Sequence, residues 1–151
     1  MGSAHRLGLP DPVVRAVLAI LGAIQATDGL YALLAPRSFY DDFPLGRSWV
    51  EALPAYNEHL VRDVGGLFLA TAIVLIAAAI WLERRLVLVA LVSFLAFAIP
   101  HATYHYLNLG PYDTFDTVAN LITLGFMVVA PIVVLVAIAR AERAGAKPPS
   151  G

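Results

Sequence analysis

The sequence has no cysteine in 151 residues. That excludes disulfide cross-links, thiol redox chemistry, iron–sulfur ligation and covalently attached c-type haem. Charge is scarce as well. Only 14% of residues are charged and the formal net charge is −1, so no basic field gathers nucleic acid. Apolar residues take up the balance, at 60% of the chain with a mean hydropathy of +0.77. A soluble domain of this size needs more polar surface than that. The length suits one bundle, a single transmembrane domain over residues 1–151, and leaves no room for a second folded domain.

Four apolar runs stand out: 13–35, closed by Pro36, then 60–82, 86–107 and 117–139. Each is about 20 residues, the length of helix that crosses a hydrocarbon core of about 30 Å. Backbone groups in lipid must be satisfied within the segment, so these runs predict helices. The first is longer than a signal-peptide core of about 7–15 residues, and it carries Gln25 and Asp28. An uncleaved helix is therefore expected. The fold class expected is all-α, a four-helix transmembrane bundle with a long extracytoplasmic loop between the first two spans.

Orientation is read from Lys and Arg. Arg6 and Arg15, Arg84 and Arg85, and Arg140, Arg143 and Lys147 fall on one side of such a hairpin, which predicts a multi-pass protein with cytoplasmic N- and C-termini. The connection "NLGPYD" has no Lys or Arg and belongs outside. In the long first loop, Phe39, Tyr40, Phe43, Trp49 and Tyr56 predict a segment lying along the outer interface. Trp49 and Trp81 read as interfacial anchors. Asp41, Asp42 and Glu51 read as solvated loop charges, His5 as a solvated terminal residue, and "AGAKPPSG" as a disordered end. Gly22, Ala26 and Gly29 in the first span, and Gly65, Gly66 and Ala70 in the second, mark close helix approach.

Polar residues within the spans gather at one depth. With alternating direction, Asp28 and Tyr31, then Glu58, His59, Arg62 and Asp63, then His101, His105 and Asn108, then Asp113, Asp116 and Asn120 all fall at the outer end. Pairs four apart (His59 with Asp63, His101 with His105, Asp116 with Asn120) form stripes on single helix faces. A charge in the bilayer costs at least about 2.5–3.5 kcal/mol, so these stripes should face one another or a wet cavity. Pro100 lacks a backbone N–H, which predicts a kink just before His101 that opens such a pocket.

Three uses for that layer remain open. The first is a transition-metal site for zinc, iron or copper, with His59, His101 and His105 as ligands. Asp63 and Asp116 would then be catalytic or orienting carboxylates and Arg62 an anion-stabilising group, in a membrane oxidoreductase or hydrolase. The second is a structural network in which Arg62 pairs with Asp28 or Asp116, in a non-catalytic accessory subunit. The third is a pocket for a small, lipid-derived or quinone-like ligand, with the histidines and Arg62 as hydrogen-bond donors, Asp28, Tyr31, Asn108 and Asn120 as further binding residues, and the aromatic loop as a lid. Haem b, which needs no cysteine, is a further alternative. The expected partners are the lipid bilayer and a small ligand, with a homo-oligomer or membrane complex compatible and nucleic acid excluded.

The stretches "GLYALLAPRSFY" and "VRDVGGLFLATAIVL" resemble small four-helix membrane proteins of the DoxX-like type. The matching residues are Gly29, Pro36, Arg62, Gly65 and Gly66, over roughly the first half of the chain. That resemblance implies a four-helix integral membrane fold and, for some members, an accessory role in a membrane complex. "PHATYH", Pro100 to His105, has no counterpart in the pattern.

Overall fold

The computed structural model describes residues 7–52 and 55–145, and among these it holds five helices and no strand. They are α1 (Asp11–Leu34), α2 (Pro36–Asp42), α3 (Glu58–Trp81), α4 (Arg84–Leu107) and α5 (Thr114–Gly145). Four of them, all but α2, are long and apolar enough to cross a membrane, which fits a multi-pass integral membrane protein. His5, Arg6, Lys147 and the tail beyond Gly145 lie outside the described residues.

Local chemistry sets the boundaries. Pro12 occupies the first turn of α1, where its missing N–H costs nothing, and Ala35, which leaves the helical conformation (φ −133°, ψ 60°) before Pro36, ends it. The Asn57 side chain caps α3 by accepting from the Leu60 N–H at 3.2 Å. Leu82 ends α3 in the left-handed conformation (φ 47°), and α4 begins two residues later. Asp113 Oδ1 accepts from the Asp116 N–H at 2.8 Å and starts α5.

Two elements extend beyond what the apolar runs define. The fourth span runs on through Arg140 and Arg143 to Gly145, because Ala and Arg residues continue the helix beyond the apolar stretch. The first long loop contains α2, an amphipathic helix of about two turns that buries Pro36 and Phe39. In α4 the backbone stays helical through Pro100, so the proline does not break the element.

The closest packing is between α1 and α3. An added Cβ at Gly29 would lie 2.9 Å from the Gly65 carbonyl oxygen, and one at Gly65 would lie 2.9 Å from the Gly29 carbonyl oxygen. The two backbones touch there, as small residues permit. Gly66 and Ala70, expected at such a contact, are exposed, and Gly66 has nothing within 4 Å of its Cβ direction. The same helix pair is pinned at both ends by guanidinium groups on exposed C-terminal carbonyls. Arg15 of α1 donates to the Ala79 and Ile80 carbonyls of α3, and Arg62 of α3 donates to the Leu33 carbonyl of α1 at 2.5 Å.

The dense core lies toward the end of the bundle where α3 turns into α4, hereafter the turn end. There Leu18, Leu75, Leu91, Phe94, Val134 and Ile138 are fully or almost fully buried. Leu7 and Gly8 close this end against α5. Gly8 (φ 72°) lies so near the Ala137 carbonyl that no Cβ fits. Large apolar residues such as Leu67, Ile73, Val89 and Val129 point outward on the long helices, as lipid contact requires.

Candidate functional site

At the opposite, loop end the core gives way to space. The α1–α3 seam is closed by Gly29 and Gly65, and α4 is tied to α5 by the Tyr106 hydroxyl, which donates to the Leu121 carbonyl at 3.3 Å. Between all four long helices lies a cavity of about 910 Å³. Ligand pockets run to about 300–1,000 Å³, so this one is at the large end. Its walls are overwhelmingly apolar, with Ile24, Val64, Phe68, Phe97 and Met127 among them. Phe97 packs edge-on against Phe68 at 4.9 Å and stacks on His101 at 4.9 Å, which joins the apolar floor to the polar wall.

The first connection roofs the cavity. Phe39 of α2 packs against Tyr31 at 5.5 Å and Phe43 at 4.8 Å, and both phenylalanines line the space. Arg47 then reaches the head of α5. Its Nε donates to Asp116 and its Nη2 donates to Asp113 Oδ2 at 3.2 Å. Trp49 Nε1 donates to the same Asp116 oxygen at 2.9 Å, and the Tyr112 hydroxyl donates to the Trp49 carbonyl at 2.8 Å. The hydrogen bond to Asp116 raises the Arg47 guanidinium further above its ordinary range, so it stays charged. Burial raises the Tyr112 hydroxyl as well and keeps it a neutral donor. Thus the loop folds over the cavity, and Trp49 is both a latch to α5 and part of the cavity wall.

Five of the polar side chains that line the space come from the long helices and bear on its chemistry: Gln25 and Asp28 from α1, His101 and His105 from α4, and Asn120 from α5. Gln25 and Asn120 are each 1% exposed and His105 is 9% exposed. Gln25 Oε1, His105 Nδ1 and Asn120 Oδ1 are buried with no hydrogen-bond partner in the protein. The two imidazoles lie edge to face, with ring centroids 4.7 Å apart. Among the five, the one hydrogen bond to protein runs from Asn120 Nδ2 to the Asp116 carbonyl at 3.2 Å. Buried polar atoms are ordinarily paired, so a group of unpaired ones facing one cavity is unusual.

Other residues that the spacing brought to this layer stand elsewhere. His59 is 86% exposed and pairs at 3.2 Å with Asp63, itself more than half exposed, and neither belongs to the cavity wall. The helical period places both on the side of α3 away from Val61, Val64 and Phe68, which do line it. His101 and His105 therefore come together without His59. Among the described residues no group of three or more His, Cys, Asp or Glu is placed to hold a metal ion. Arg62 bonds Glu58 at 3.0 Å and the Leu33 carbonyl, not Asp28 or Asp116, and Asp116 is engaged by Arg47 and Trp49. Tyr31 shares a hydrogen bond of 2.8 Å with Ser38, and Asn108 donates to the Tyr104 carbonyl at 2.7 Å, so both serve local structure outside the wall. Of the residues expected to bind a ligand, Asp28 and Asn120 line the cavity.

Gln25 and Arg47 are the residues that sequence reasoning left without a role here. Gln25 carried a usable signal, since it stands three positions before Asp28 on the same face of α1. Arg47 did not, because its partners lie 66 and 69 residues away.

No protein-family model, curated protein or solved structure matches the chain.

Proposed function

We propose that this is a membrane-embedded binding protein for a small, mostly apolar molecule with a polar head, taken up in the loop-end cavity. One observation carries the reading. A space of about 910 Å³ with apolar walls is faced by buried Gln25, His105 and Asn120 atoms that have no partner in the protein. An unpaired buried polar atom costs about 1–3 kcal/mol, and a ligand head that pairs several of them recovers that cost on binding. Apolar walls accommodate the body of the ligand, and the α2 roof limits its length.

The arrangement favours binding over the other readings. A self-contained polar network requires the groups to bond one another, and these do not. Two imidazoles without a third ligand are a weak basis for a metal centre. The reading includes cytoplasmic termini, because Arg15, Arg84, Arg85, Arg140 and Arg143 cluster at the turn end, which leaves the cavity toward the outer face. It also includes the DoxX-like resemblance and an accessory role in a membrane complex, with the bound molecule as cargo or cofactor of a partner.

The test uses the two tryptophans. In a Trp81→Phe protein, Trp49 in the cavity wall is the only tryptophan. Energy transfer from it to a dansyl-alkyl alcohol should saturate at one probe per chain in lipid nanodiscs, above the signal from empty discs. A Val64→Phe change, which fills the wall, should abolish it. Transfer that rises linearly with probe, or that Val64→Phe leaves intact, refutes the proposal.

A further inference from the structure

The charge balance of the cavity narrows the chemistry of its ligand. Asp28 lines the cavity within the outer part of α1, and among the described residues it has neither an ion pair nor a hydrogen bond to protein. A carboxylate at membrane depth without a counter-ion is a functional signal in its own right. The nearby guanidinium groups are all committed elsewhere. Arg37 pairs with Asp41 at 2.6 Å and lies over the Tyr40 and Tyr56 rings, Arg47 holds Asp116 and Asp113, and Arg62 holds Glu58 and the Leu33 carbonyl. No Lys or Arg belongs to the wall among the described residues. The wall therefore presents one acid, two imidazoles, three amides (Gln25, Asn57 and Asn120) and the hydroxyls of Tyr40, Tyr104 and Thr123, and among the described residues no fixed positive charge.

Ring faces add to the same preference. Phe39, Phe43, Trp49, Phe68 and Phe97 line the cavity, and aromatic faces attract cations within about 6 Å. An anionic head would meet Asp28 and the negative ring faces with no cation to offset them.

We propose that the cavity takes a lipophilic amine, its protonated nitrogen held by Asp28, with Gln25 and Asn120 accepting further N–H bonds and the rings enclosing the body. This deepens the reading above and rests on it. An ammonium offers three donors, and the Asp28 carboxylate, Gln25 Oε1 and Asn120 Oδ1, on two helices, supply three acceptors with no partner among the described residues. Charge-assisted bonds of this type are about twice as strong as neutral ones.

The experiment compares three probes sharing one dansyl-alkyl body and ending in a primary amine, a hydroxyl or a carboxylate. Binding is read as energy transfer from Trp49 in the full-length Trp81→Phe protein, in nanodiscs of zwitterionic lipid, at neutral pH. The amine should bind at least about tenfold tighter than the alcohol, and the carboxylate at least about tenfold weaker. Asp28→Asn, close in shape, should bring the amine to within about threefold of the alcohol measured on the same variant. If the alcohol saturates at one site while the amine binds no tighter, the amine inference is overturned and the cavity reading survives. If none of the three saturates, both fail. Should Asp28→Asn not fold, the ranking of the three probes on the Asp28 protein still decides.

Discussion

Gly65 and Gly66 are neighbours on α3, and the structure predicts opposite fates for them when each is changed to Ala. A Cβ at Gly65 would lie 2.9 Å from the Gly29 carbonyl oxygen, 2.9 Å from the Leu33 nitrogen and 3.2 Å from Ala32 Cβ, where ordinary contact begins at 3.4 Å. Two of those atoms are backbone of α1 and have no rotamer by which to yield. The helices must part by about half an ångström, the kind of overpacking that costs about 1–3 kcal/mol. Alanine also gains about 1 kcal/mol over glycine inside a helix, so the net loss for Gly65→Ala is about 0–2 kcal/mol. At Gly66 nothing lies within 4 Å, so Gly66→Ala keeps the helix gain alone. Comparing the two variants cancels the propensity term and leaves a difference of about 1–3 kcal/mol. Reversible unfolding in mixed detergent, followed by circular dichroism, measures it. Since α1 carries Gln25 and Asp28, the parting should also weaken probe binding in Gly65→Ala. If Gly65→Ala proves as stable as Gly66→Ala, the close α1–α3 contact is wrong.

Gln25→Met keeps the side-chain volume and removes an amide with no partner. It should stabilise the ligand-free protein by about 1 kcal/mol in the same unfolding assay while lowering probe affinity; destabilisation would show that the amide is satisfied after all. Arg47→Ala removes the ties to Asp116 and Asp113, so amide hydrogen exchange should accelerate in residues 43–52 and stay unchanged in α3. Uniform acceleration, or none, would deny the latch. Gly8→Ala puts a Cβ against the Ala137 carbonyl at a positive φ, and should cost about 1–3 kcal/mol and expose Leu7 at the turn end; unchanged stability would mean that this segment does not pack on α5.

The long helices were legible because lipid leaves few solutions for a run of 20 apolar residues, and the polar layer was legible because alternation of direction fixes depth. His101, His105, Asp28 and Asn120 reach one cavity for that reason. Depth does not fix azimuth. His59 and Asp63 share a face by the four-residue rule, but the rule leaves open where that face points, and Gly65 facing α1 turns it outward. Of the two small-residue signals on α3, Gly65 meets a neighbour and Gly66 does not, for the same azimuthal reason. The partners of Asp116 were not legible, since Arg47 and Trp49 arrive from a connection whose path no local periodicity encodes. Helix α2 was hidden by its length, as seven residues carry too little period to separate a helix from a loop.

The loop-end cavity is proposed as a ligand site. Native mass spectrometry of the full chain released from its membrane tests it most directly. The account predicts one small organic molecule per chain on the unmodified protein and on a His59→Ala control, whose side chain lies outside the cavity, and none on Val64→Phe. Bare protein in all three, or the same adduct on Val64→Phe, would contradict it.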